Sequence, residues 1–216
     1  MLKHYYTIAK DGIVETEIKK SRFICHLKRV TDEAEAQEYI QMVKKKHWKA
    51  NHNCVAYLIG DQNDIQRAYD DGEPTGTAGV PMLEVLKKQD FKYVVAVVTR
   101  YFGGTKLGAG GLIRAYQKSV SLALDEIGVV SRDLQVKVSV TVSYPASGKL
   151  ENSLNESDYT LADILYTENV TFICLVDEEK VVIFKEDLTN WLSGQVQFED
   201  GQMSYHESKR LSRNNT

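Results

Sequence analysis

Along the 216-residue chain the spacing of apolar positions changes several times, and each change marks an element. Near the start, GIVETEI and SRFICHLKRV are rich in β-branched and aromatic residues and predict two strands. Thr31-Asp32 reads as a helix start, with Glu33 and Glu35 in the first turn and Ala36, Tyr39, Ile40 and Val43 at helical spacing. Lys44, Lys45 and Lys46 suit the negative end of that helix dipole. NCVAYLIG and DIQRAYD flank Asp61 to Asn63 and predict a hairpin. VPMLEVLKKQD, with Pro81 in a first turn, predicts a second helix. YVVAVVT is a continuous apolar run of strand length, the pattern of a strand buried on both faces. A third helix is predicted from about Leu112 to Ile127, with a stripe of Leu112, Tyr116, Val120, Ala123 and Ile127 and Gly128 as its stop.

The second half is more regular. VKVSVTVS alternates as a strand, ASGKLENSLNES suits a helix, and YTLADILYT and VTFICLVDEE read as two strands around Glu168-Asn169. VVIFKEDLTNWLSG is amphipathic and stops at Gly194, and QVQFEDGQMSYHE closes as a strand. The order βαββαβ is the split-βαβ, ferredoxin-like plan. The expected fold class is α+β with two domains, residues 1–132 and 133–207, followed by a flexible polar tail at 208–216.

Charge supports that division. The net charge is −3, yet residues 1–134 carry 20 Lys+Arg against 17 Asp+Glu, while residues 135–205 carry 4 against 12. A polyanion is therefore expected to meet the first domain and a protein partner the acidic second one. No apolar run approaches the ~20 residues of a membrane span, so no membrane partner is expected. MLKHYYTIAKDG has no apolar stretch behind a basic start, which argues against secretion and for a cytoplasmic location. Three cysteines, Cys25, Cys54 and Cys174, are an odd number without a C-x-x-C pair and read as free thiols.

Candidate chemistry concentrates in two loops. Eight of the fourteen glycines lie within residues 70–114: Gly72, Gly76, Gly79, Gly103, Gly104, Gly108, Gly110 and Gly111. The loop from Gly103 to Gly111 runs into a helix N-terminus, where unpaired N–H groups and the positive dipole end favour an anion. Residues 99–118 add Arg100, Lys106, Arg114 and Lys118 and no acid. A phosphate cradle fits this pattern; a glycine turn needed for tight strand–helix packing is the plainer alternative. No Gly-Lys-Ser/Thr follows, so the loop is not a Walker A motif, and no motif implies a cofactor. Asp70, Asp71 and Glu73, with Thr75 and Thr77, form a second loop that either holds Mg²⁺, supplies a base, ion-pairs with Arg100 or Arg114, or caps the next helix. Lys20 and Arg22 beside Phe23 suit a phosphate backbone or a solvated strand edge. Tyr101 and Phe102 suit either base stacking or core packing. His52 and Cys54 share one strand face, but a buried small hydrophobe is the simpler role for Cys54 than nucleophile. The remaining histidines have no zinc-ligand spacing.

Four strings carry a resemblance: KSRFI from Lys20, HNCVAY from His52, DDGEPTGTAGVP from Asp70 and VVTRYFGGTKLGAGGLIRAY from Val97. They are similar to the Impact family, whose bacterial members include YigZ. The resemblance implies a first domain with the fold of a small-subunit ribosomal protein and of domain IV of elongation factor G. It also implies a small ferredoxin-like second domain. Eukaryotic Impact relieves translational control through an added N-terminal RWD module; strand material here begins within about twelve residues of Met1, so that role is not carried over.

The expectation is a translation-associated regulatory or binding protein, with RNA or the ribosome bound through Lys20, Arg22, Arg100, Gly103, Gly104, Lys106, Gly108, Gly110, Gly111 and Arg114. The alternatives are a Mg-dependent enzyme acting on a nucleotide or phosphorylated small molecule, and a purely protein-binding regulator.

Overall fold

In a computed structural model of the chain, residues 2–210 are described. Among the described residues, 2–132 together with 208–210 form one compact unit, and Asp133–Glu207 form another.

The first unit begins with β1 (His4–Ile8), β2 (Gly12–Ile18) and β3 (Ser21–Arg29), then α1 (Glu33–Lys46), β4 (His52–Ile59) and β5 (Ile65–Tyr69). It continues with α2 (Gly79–Lys88), β6 (Val94–Tyr101) and α3 (Ala109–Ile127). Strands β2-β3-β6-β4-β5 make one antiparallel sheet. Its central strand is β6, which explains the unbroken apolar run: side chains of one strand alternate between faces, and both faces are covered. Val94, Ala96 and Val98 join Phe23, Cys25 and Leu27 in a core packed with Leu86, Leu112, Tyr116 and Val120. Val95 and Val97 join Ala36, Ile40 and Val43 of α1 in the opposite core.

Helix α1 has the predicted cap: the Asp32 carboxylate accepts from the Glu35 N–H at 2.8 Å, and Glu35 accepts in turn from the Thr31 N–H at 2.9 Å. At the end of α3, Gly128 sits at φ +86°, and its N–H reaches the Leu124 carbonyl at 2.9 Å. The start of α3 differs from expectation. It begins at Ala109 rather than near Leu112, because a first turn of Ala109, Gly110 and Gly111 carries no apolar stripe.

The second unit takes up β7 (Val129–Val142) from Asp133, then α4 (Tyr144–Asn155), β8 (Thr160–Tyr166) and β9 (Val170–Asp177). A single 3-10 turn, Glu178–Lys180, leads into α5 (Val181–Trp191) and β10 (Gln197–Lys209). The βαββαβ order is as predicted, with β9 between β7 and β8 and β10 paired to β7. Val136, Val138, Val140, Phe172 and Cys174 pack against Leu150, Leu154, Phe184 and Leu188.

Two segments depart from the sequence expectation. Strand β1 was not expected; it pairs with β7, where Ala9 donates to the Gly128 carbonyl at 2.9 Å and Arg132 to the Tyr5 hydroxyl at 2.6 Å. Strand β10 continues to Lys209, into the tail expected to be loose. Residues 211–216 of that tail lie outside the described residues. Among the described residues, no helix is long and apolar enough to cross a membrane.

Candidate functional site

Both motif-bearing loops gather at the end of the first unit's sheet where β6 finishes. The alternation that buries Val98 sends Arg100 to the same face, beneath the loop between β5 and α2. There Arg100 is 5% exposed and Glu73 is 7% exposed. Arg100 Nη1 donates to Glu73 Oε1 at 2.6 Å, and the Tyr116 hydroxyl donates to the same oxygen at 2.8 Å. Arg100 Nη2 lies 3.4 Å from Ser21 Oγ. Its guanidinium carbon is 5.4 Å from the Phe23 ring and 5.6 Å from the Phe102 ring. Arg100 therefore does not reach a ligand on the surface as the sequence suggested; it is a buried cation tying β6 to Glu73, Ser21 and two aromatics.

The acids of the loop are similarly engaged. The Asp70 carboxylate accepts from the N–H groups of Gly76 at 2.8 Å, Ala78 at 3.0 Å and Gly79 at 2.9 Å, which caps the start of α2. Asp71 accepts from the Asn53 N–H at 2.7 Å and pairs with Lys44 Nζ at 2.7 Å. Thr77 is buried, and its hydroxyl donates to the Pro74 carbonyl at 2.6 Å, whereas Thr75 is exposed. Octahedral Mg²⁺ needs oxygens facing a common point, and these three carboxylates face separate partners. Among the described residues, no group of three or more His, Cys, Asp or Glu is placed to hold a metal ion.

His52 and Cys54 also belong to this network. His52 Nε2 is 3.8 Å from Glu73 Oε2, and its Nδ1 is 3.0 Å from the Asp71 carbonyl. The Cys54 thiol donates to the Asp70 carbonyl at 2.9 Å and lies 3.3 Å from the Tyr116 hydroxyl. Burial pushes the Cys54 thiol up to about 12, so it is held protonated and is a poor nucleophile at neutral pH. Burial likewise raises the Tyr116 hydroxyl far above its ordinary range.

The basic segments meet on the outside of this core. Lys19 and Lys20 form the two-residue turn between β2 and β3, at φ +48° and +67°. Such a turn usually takes Asn or Gly, so two lysines there accept strained backbone and project into solvent. Gly103 packs directly on this turn: a Cβ added to it would fall 1.9 Å from the Lys20 carbonyl oxygen. The Gly103 N–H also donates to Ser21 Oγ at 3.2 Å. Beyond it, Gly104, Lys106, Gly108, Gly110 and Arg114 are exposed and Gly111 is half-buried. The N-terminus of α3 has Gly108 as its cap, no side-chain hydrogen bond and no acid in the first turn. Arg22 is exposed, pairs with Glu15 at 2.7 Å and lies over the Tyr101 ring at 5.4 Å.

Two contributors escaped the sequence reading. Asn51 fastens the segment after α1 to the end of β6, donating to the Arg100 carbonyl at 3.0 Å and accepting from the Phe102 N–H at 2.8 Å. Trp48, in the same segment, is 74% exposed with Lys49 Nζ 5.1 Å from its ring. A lone tryptophan inside the basic run KKKHWK was the available signal.

The chain is 55% identical over 207 residues to IMPACT family member YvyE of Bacillus subtilis (strain 168), covering 96% of this chain and 95% of that one. The chain belongs to the IMPACT family. Its residues 19–124 match the Impact N-terminal domain, and residues 140–195 match a domain of unknown function, DUF1949. IMPACT family member YigZ of Escherichia coli (strain K12) is 34% identical over 186 residues, covering 85% of this chain and 91% of that one. A crystal structure of a hypothetical protein superposes with a TM-score of 0.59 at 32% identity, covering 92% of this chain and 97% of that one. Within this IMPACT family chain, the Impact domain match begins at the Lys19–Lys20 turn and contains the whole Arg100–Glu73 network.

Proposed function

We propose that the chain is a translation-associated regulatory protein whose first unit binds RNA, free or in the ribosome. The observation that carries this reading is the junction of the Lys19–Lys20 turn with the glycine loop through Gly103. It makes one cationic face of two segments that are about eighty residues apart in sequence. Lys19, Lys20 and Lys106 lie exposed on it beside Arg114 and the open N-terminus of α3. Phosphate contacts by Lys and Arg supply most sequence-independent affinity for nucleic acid, and glycines let backbone N–H groups approach an anion closely. The family resemblance to domain IV of elongation factor G supports the same setting. The second unit, with 4 Lys+Arg against 12 Asp+Glu over residues 135–205, is repelled by RNA and suits a protein partner. An enzyme acting on a phosphorylated small molecule is less well supported, because each acid of the 70–73 loop already serves a structural partner.

Binding to ribosomes and to free RNA across a salt series, for the protein and its Lys20→Glu, Lys106→Glu and Arg114→Glu variants, tests the reading. Affinity is expected to fall steeply with salt, and each variant to weaken it and flatten the slope by roughly one counterion. Absence of binding at low salt, with every variant folded, removes the proposal.

A further inference from the structure

We infer that the RNA bound on this face is single-stranded, with unstacked bases resting on Phe102 and Trp48. This rests on the RNA-binding reading above and specifies which form of RNA that face takes. Phe102 is 45% exposed, yet it is held firmly. Its N–H is bonded to Asn51, and its ring lies against the guanidinium of Arg100, which Glu73 and Ser21 hold in place. The buried ion pair thus acts as the mount for an aromatic platform, and Arg100 is a positioning residue.

Trp48 is an indole left mostly in water at an energetic cost that a purely structural residue avoids by turning inward. It precedes Asn51, whose side chain holds the Phe102 N–H, by three positions. Asn51 donates to the Arg100 carbonyl and accepts from the Phe102 N–H, the two backbone groups that flank Tyr101, and the three residues from Trp48 to Asn51 span at most about 10 Å. Each ring has its own cation, Lys49 beside Trp48 and Arg100 beside Phe102. A duplex presents phosphates but keeps its base faces stacked inside, so it has no use for exposed rings. A single strand offers both, and base–aromatic stacking next to cations is how such strands are held without sequence readout. An acidic peptide would satisfy the cations and leave the two ring faces without a flat partner.

The test compares a 12-nucleotide uridine oligomer with an RNA duplex of equal length at one salt concentration. It uses the full chain carrying Trp191→Phe, so that emission reports Trp48 alone. The oligomer is expected to bind at least about tenfold more tightly than the duplex and to quench Trp48. Phe102→Ala and, by anisotropy of a labelled oligomer, Trp48→Ala are each expected to lose roughly tenfold for the oligomer and nothing for the duplex. Equal binding of both RNAs, indifferent to either alanine but weakened by Lys106→Glu, overturns the single-strand inference and leaves the RNA reading standing. Quenching by poly-glutamate without binding of either RNA overturns both and assigns the face to an acidic protein. Binding of neither RNA, with Trp48 emission unaltered, also overturns both.

Discussion

Arg100 Nη1 stands 2.6 Å from Glu73 Oε1, and the two side chains are almost closed to solvent. The Tyr116 hydroxyl donates to the same carboxylate oxygen, and the rings of Phe23 and Phe102 lie near the guanidinium. Removing one member leaves the other as an unpaired buried charge, which costs about 3–5 kcal/mol. Glu73→Ala and Arg100→Met are each expected to lower unfolding free energy in urea by that amount. The double variant is expected to lose clearly less than the sum, since neither charge is then orphaned. Additive losses would show that the two side chains act separately.

Where local pattern alone decides an element, the sequence was readable. The Asp32 cap, the spacing of Ala36, Ile40 and Val43, the apolar run of β6 and the βαββαβ order of the second unit all follow from nearest neighbours along the chain. What failed to show were relationships between distant segments. His4–Ile8 is five residues long and is recognisable as a strand only by its pairing with β7. Arg100, in the string VVTRYF, looks like a surface cation until Glu73 is placed against it. Gly103 looks like one more flexible glycine until the Lys20 carbonyl is found where its side chain would be.

That last contact separates two adjacent glycines. At Gly103 an alanine would collide with backbone at Lys20 and Ser21, whereas at Gly104 none of the described residues would lie within 4 Å of it and the φ of +85° is what resists a side chain. Gly104→Ala is expected to cost about 1–2 kcal/mol, the left-handed backbone cost for one residue. Gly103→Ala is expected to cost about 3 kcal/mol or more, because neither backbone can move aside without opening the β2–β3 turn. Urea midpoints of the two variants check the order; equal costs would show that the loop is not packed on the turn.

His26 gives the first unit a pH dependence. It is 1% exposed, its Nε2 has no hydrogen-bond partner among the described residues, and the His47 ring lies 5.0 Å away. Burial, then His47 and Lys46, lower its pKa from 6.5 to about 4. The unfolded chain therefore binds a proton that the folded chain refuses between those values. Stability from this residue is complete above about pH 6.5 and is lost as pH falls toward 4, a change of about 3 kcal/mol. His47, lowered chiefly by burial, adds in the same direction. Urea unfolding from pH 7 to pH 4 is expected to show a steeper loss for the protein than for His26→Leu; parallel curves would show that His26 is protonated without cost.

The three cysteines make a last case in which burial decides chemistry. Cys25, Cys54 and Cys174 are all buried and free. Burial raises Cys54 and Cys174 to about 12 and Cys25 higher still, so almost no thiolate exists at neutral pH. Since the thiolate is the reactive species, the folded protein at pH 7.5 is expected to react with none of its thiols on the timescale of a small-molecule thiol control. In 8 M urea it is expected to react with all three. Because Cys54 touches Asp70 and Tyr116, its labelling also reports the 70–73 loop. Glu73→Ala is expected to accelerate modification of Cys54 ahead of Cys25 and Cys174, read by mass spectrometry of the labelled peptides. Rapid labelling of Cys54 in the unaltered protein would show that the loop opens in the native state, and uniform slow labelling in Glu73→Ala that the ion pair does not hold it shut.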